Sequence, residues 1–134
     1  MEGKGPVDLV LVEFSGGRFD GGILAELETL VEAGTITVLD ALLVSRGGDG
    51  SVEWAEAAGA DERLAALVGE PAGLLAAEDA EAVAEELQPG TAIGMLVFEH
   101  TWAGALAASV QSRGGRLVDW ERVPAAALTA LAAT

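Results

Sequence analysis

The chain predicts a single α+β domain spanning residues 1–134, on three observations. Apolar runs too short for helices recur along it, rich in valine, leucine and isoleucine and bounded by glycine or proline. Between most of them lie stretches whose apolar residues repeat every three or four positions, with carboxylates opposite. One pair of runs is joined instead by the glycine-rich turn Arg46-Gly47-Gly48-Asp49-Gly50, which predicts a hairpin. A chain of 134 residues is of single-domain size. At that length folding removes roughly two-thirds of the unfolded surface from water, so a core forms without metals or disulfides.

Residues 7–14, Val-Asp-Leu-Val-Leu-Val-Glu-Phe, predict a first strand buried on both faces for most of its length. Asp20 is placed to cap a helix running to about residue 33, and Gly34 supplies its left-handed stop. Ile23, Leu27, Leu30 and Val31 share one side of that helix, while Glu26, Glu28 and Glu32 point largely away. Residues 35–45 predict a second strand, and 51–57 a third that returns after the hairpin. A short helix over 61–68 closes at Gly69, and 71–75 is a connector. A longer helix over 77–88 sets Ala80, Val83, Ala84 and Leu87 against Glu78, Asp79, Glu81, Glu85 and Glu86, ending at Pro89-Gly90. The fourth strand, 91–99, is apolar on both sides: Ile93, Met95 and Val97 on one, Ala92, Leu96 and Phe98 on the other. Thr101 is placed to cap a helix from Trp102 to about residue 113, stopped by Gly114-Gly115. Residues 116–123 predict a fifth strand, and Pro124 suits the first turn of a last helix.

A β-α-β unit followed by a hairpin and a second α-β is the split pattern of the ferredoxin-like βαββαβ sandwich, here with a C-terminal α-β-α extension. Its two main helices cover one sheet face. Central strands that are apolar on both sides require cover on the second face as well. Either the C-terminal extension folds across it or another subunit does. The last helix, 125–134, has no charge and sets Leu128 and Leu131 among alanines. A helix without a polar face docks on its own domain or on a neighbour. Leu128 and Leu131 are therefore the candidate interface residues, and a homo-oligomer is the expected state.

Charge narrows the partners. Twenty-two acidic residues face seven basic ones, for a net charge of −15. Such a surface repels nucleic-acid backbones and anionic membranes; it leaves room for divalent cations or a basic protein partner, though the plainer reading is a solvated surface that maintains solubility. Yet 51% of residues are apolar and the mean hydropathy is +0.39, which suggests more apolar surface than one monomer hides. Uncharged runs such as 88–98 and 101–112 are too short to span a bilayer. Residues 1–6 lack the apolar core of a signal peptide, so a soluble cytoplasmic protein is expected. The absence of cysteine removes disulfides, thiolate metal sites and a cysteine nucleophile, and it fits a reducing compartment.

The residues able to carry chemistry are few. His100, the only histidine, lies beside Glu99 where the fourth strand becomes a helix. The pair can serve as acid and base or supply two metal ligands, and the topology brings Asp8 near. Neighbours on a strand point to opposite faces, however, so a hydrogen-bonded structural histidine is the plainer reading. Residues 15–22 are glycine-rich with Arg18, but match neither the P-loop nor the dinucleotide fingerprint; a capped turn competes with anion binding. The acids of the 77–88 helix read as a solvated face rather than a calcium site. Serines 15, 45, 51, 109 and 112 lack a nucleophile-elbow context. No catalytic residue, metal or cofactor is assigned. Trp54, Trp102 and Trp120 are core or interface anchors. Trp54 and Trp102, with His100 and Glu99, are alternatively candidates to line a small-ligand pocket at the sheet face or between subunits.

Several stretches resemble one family. These are Gly5-Pro6-Val7-Asp8 and Glu13-Phe14, Asp49-Gly50-Ser51-Val52-Glu53, and Gly73-Leu74-Leu75 before Glu78-Asp79. They continue with Glu85 to Thr91, Val97-Phe98-Glu99-His100-Thr101-Trp102-Ala103 and Gly114-Gly115-Arg116-Leu117-Val118. The chain is similar here to an actinobacterial family of domains of unknown function, number 6325. That family is related to number 1269, whose members insert a glycine-rich membrane hairpin. The chain departs from the pattern at Ala76-Ala77, where a capping serine or threonine is usual, and at His100, where asparagine or another polar residue is expected. The resemblance implies a shared fold, a bacterial cytoplasmic setting and stress-associated expression. It implies no activity, cofactor or active-site residue.

Overall fold

The computed structural model describes residues 5–15, 21–70, 73–116 and 118–119. Within them the chain runs β1 (Val7–Ser15), α1 (Gly21–Glu32), β2 (Thr37–Arg46), β3 (Val52–Glu56), α2 (Ala57–Ala60), α3 (Glu62–Val68), α4 (Ala77–Ala84), β4 (Thr91–Glu99) and α5 (Thr101–Ser112). The α+β class and the first four strands are as expected. Most of the glycine-rich loop, most of the expected fifth strand, Trp120 and the last helix with Leu128 and Leu131 lie outside the described residues.

The four strands form one antiparallel sheet in the order β1-β4-β2-β3. β1 and β2 each run antiparallel to β4, so they are parallel to one another with β4 between them. This is a split β-α-β, with α1 in the crossover. The strand in the slot is β4. The return strand of the hairpin, β3, sits at the far edge beside β2, whereas the simple βαββαβ reading puts it in the middle. Composition explains the difference: β4 is apolar on both sides and suits a sheet interior. β3, Val-Glu-Trp-Ala-Glu, is largely exposed and suits an edge.

A one-residue irregularity in β2 decides which side chains face where. Val38 pairs with Phe98 and Asp40 with Val97, leaving Leu39 as an extra residue. Before this bulge Ile36 and Val38 join the core under α1 and α3; after it Ala41 and Leu43 do. The period of two slips by one, and Leu42 and Val44 turn to the opposite core under α4. Leu24 of α1, with Leu64 and Val68 of α3, seals the first core. Ala80 and Ala84 of α4, with Leu75 and Leu87, seal the second against Leu42, Val44, Met95 and Val97.

Much of the second sheet face is thus sheltered by a segment from the middle of the chain, α4 and the connector before it, a cover that the sequence reading did not include. That cover ends at β4. On the edge strand β1, Val7, Leu9 and Leu11 are 52%, 52% and 49% exposed. The expectation of a first strand buried on both faces therefore fails for this side: among the described residues β1 pairs only with β4, and α4 is centred elsewhere.

Polar contacts fix the layers. Asp40 is 5% exposed; its Oδ1 accepts from the amide of Ala41 at 2.9 Å, and its Oδ2 accepts from those of Leu74 and Leu75, each at 2.9 Å. The bulge thereby aims a carboxylate at the connector that leads into α4. Helical bonding in α4 stops at Ala84, short of the expected residue 88, because Glu86 N donates to Val83 O and Leu87 N to Ala84 O. These are three-residue bonds that tighten the last turn. Arg46 Nη2 donates to Ala84 O at 2.9 Å and Nη1 to Gly50 O at 2.7 Å, tying the helix end to the hairpin.

On the other side, Arg63 of α3 reaches Glu28 of α1 at 2.5 Å. The hydrogen bond to Arg63, aided by its charge, holds the Glu28 carboxyl below its ordinary 4.5. A carboxyl depressed in the folded state stabilises fully above its unfolded pKa, and that contribution fades as pH falls through the folded value. Glu28→Gln is accordingly expected to flatten the acid-side decline in stability below pH 4.5. Urea midpoints between neutral pH and about pH 3 measure it, and a decline as steep as the parent's would remove the pair from the account.

Candidate functional site

The most distinctive stretch of the sequence ends β4, and the register shows what surrounds it. Val7 lies opposite Glu99 and Asp8 opposite Phe98 on one side, and Thr37 lies opposite Glu99 on the other. One end of the sheet therefore gathers the entry to β1, the exit from β4 and the start of both β2 and α5.

Glu99 and His100 point to opposite faces, as alternation requires. Glu99 is 7% exposed, and its Oε2 accepts from the amide of Gly5 at 3.0 Å. His100 donates its own amide to Pro6 O at 2.8 Å, and its Nε2 lies 2.6 Å from Asp8 Oδ2. The imidazole meets Phe98 edge-on at 5.3 Å and Trp102 at 6.4 Å between ring centres. Trp102 N donates to Thr35 O at 3.3 Å. Thr101 does not cap α5 as expected: the cap position is His100, without a side-chain bond. The Thr101 hydroxyl is directed instead to that of Thr37, 2.5 Å away.

The geometry separates the sequence candidates. Asp8, rather than Glu99, is the partner of His100. An imidazole held by a carboxylate can move a proton, but among the described residues no hydroxyl is hydrogen-bonded to the ring. The Thr101 hydroxyl is shared with Thr37, the Ser51 hydroxyl donates to Asp49, and that of Ser112 to Ser109 O. Among the described residues no three metal-ligating side chains come together. The arrangement reads as a clasp of strand and helix ends.

Trp54 belongs to another place. It lies opposite Val44, whereas His100 follows the residue opposite Thr37. At 3.3 Å per residue those points on β2 are roughly 23 Å apart, so within one chain Trp54 stands apart from Trp102 and His100. Trp54 borders an open hollow of 180 Å³ with Leu43, Ser45, Glu53 and Gly59. Small-molecule pockets usually begin near about 300 Å³.

Two structurally important residues escaped the sequence reading. Asp40 was legible as a lone acid inside an apolar strand. Gly5 carried only its place before Pro6; yet a β-carbon there would lie 1.9 Å from His100 O and 3.2 Å from Gly104 N. The remaining charges of α4 are mostly exposed, in keeping with a solvated face. No described helix is long and apolar enough to cross a membrane.

The model of a family of unknown function, DUF6325, matches residues 3–134. No curated protein and no solved structure matches the chain.

Proposed function

The chain belongs to the DUF6325 family of unknown function, and from its surface we propose that it is a non-enzymatic module that associates with copies of itself. The observation behind this reading is the half-exposed row Val7, Leu9 and Leu11 on edge strand β1. Apolar side chains aligned on a strand that is also an edge favour contact with another surface. A net charge of −15 makes two copies repel over most approaches. The row carries no charge before Glu13, so contact there brings few carboxylates together. The cover that α4 gives the second sheet face accords with this, because it reaches Met95 and Val97 of β4 and leaves the β1 row half-exposed.

Sedimentation velocity over a wide concentration range tests the proposal. The wild-type mass is expected to rise with concentration, and the double variant Leu9→Lys, Leu11→Lys to stay monomeric while retaining its circular dichroism. A wild-type monomer up to high micromolar concentrations, or a variant that associates equally well, would overturn it.

A further inference from the structure

The exposed row on β1 has a counterpart on α5. That helix carries no charge from Thr101 to Ser112 and fully buries only Ala103 and Gly104. Trp102, Leu106 and Val110 are 45%, 54% and 36% exposed. Four-residue steps turn about 40° around a helix, so these three form one stripe. Arg113, at the C-cap, falls between Trp102 and Leu106 in angle. The strand row is built alike: Val7, Leu9 and Leu11 are followed on the same face by exposed Glu13. The lengths also agree, about 17 Å from Trp102 to Arg113 along the helix and about 20 Å from Val7 to Glu13 along the strand. Neither Glu13 nor Arg113 has an ion-pair partner among the described residues, whereas Arg63 is paired and Arg46 is bound to carbonyls.

We infer that α5 of one copy packs across the β1 row of another, with Arg113 set against Glu13. This rests on the self-association reading and adds which elements meet and what fixes their register. The occupant is a second copy because the row demands an apolar element without acids that ends in a cation, and α5 supplies it in a chain that is otherwise strongly acidic. The packing repeats what α4 does on Met95 and Val97 within one chain, extended past β4 to the edge. Row and stripe are different surfaces, so two arrangements satisfy the contact. Made reciprocally it is isologous and closes a dimer; made head to tail it is heterologous and grows a ring or chain.

Charge exchange tests it. Glu13→Arg and Arg113→Glu each place like charges together, and each is expected to raise the concentration for half-association roughly tenfold. The double variant carrying both changes restores an opposite pair and is expected to return close to wild type. Circular dichroism verifies that all three fold. An associating wild type whose single variants are unchanged, or a double variant no better than the singles, overturns this inference while leaving self-association standing. A wild type that is monomeric at every concentration overturns both.

Discussion

Replacing Asp40 with alanine is expected to cost about 3 kcal/mol of folding stability. The side chain serves three backbone amides at once, those of Ala41, Leu74 and Leu75. Hydrogen bonds to a charged acceptor each contribute about 1.5–3 kcal/mol, and donors left buried without a partner keep their desolvation penalty. The sum falls below three full bonds because Leu74 is exposed and water can reach it after the change. The damage then spreads. Leu75 closes the core under α4, so a connector freed from Asp40 loosens the cover over Leu42, Val44, Met95 and Val97. Asp40→Asn keeps one acceptor oxygen but turns an amide donor toward the others, and is expected to lose roughly half as much. Urea unfolding gives the stability, and hydrogen exchange at the Leu75 amide reports the local link. A loss under about 1 kcal/mol, or undiminished protection at Leu75, would show that Asp40 does not hold the connector.

What the sequence disclosed divides along physical lines. Periodicity placed β4 with Met95 and Val97 on one side and Leu96 and Phe98 on the other, because side-chain alternation is a local property. Helix ends at Gly34 and Gly114 were legible because both residues take positive φ, +75° and +88°, which glycine adopts without strain. Strand neighbours were harder. The composition of Val52–Glu56 suits an edge, but its place is settled only by competition with β4, apolar on both sides, for the middle of the sheet. The bulge at Leu39 was equally hidden, since an apolar strand shows no polar residue out of phase until Asp40, and a lone acid can also be read as an edge feature. At the site, the meeting of Asp8 with His100 followed from topology. That Trp54 and Trp102 stand at different ends of the sheet within one chain was not legible, because residue type says nothing about which end of a strand a side chain occupies.

Replacing Gly5 with alanine is expected to cost about 2–3 kcal/mol, a large effect for one methyl group near the start of a strand. The added carbon would meet the carbonyl oxygen of His100 at 1.9 Å. That oxygen is not free to yield: it accepts from Ala103 N and Gly104 N in the first turn of α5. The entry to β1 must move instead, breaking the bond from Gly5 N to Glu99 Oε2 and straining that from His100 N to Pro6 O. Most of the cost then falls on Glu99, a carboxylate buried at 7% exposure that loses its amide donor. Glu99→Gln keeps an acceptor and removes the charge, so it is expected to cost less than Gly5→Ala. In the Glu99→Gln background Gly5→Ala is expected to cost about 1 kcal/mol less than in the parent, since no charge is then left stranded. Gly48→Ala, with no atom within 4 Å of the added carbon, serves as the neutral control. Denaturation midpoints for the four variants and the parent decide the matter. Equal costs for Gly5→Ala with and without the Glu99 charge would mean that the glycine is needed only for its small volume, and that the buried carboxylate is satisfied by other means.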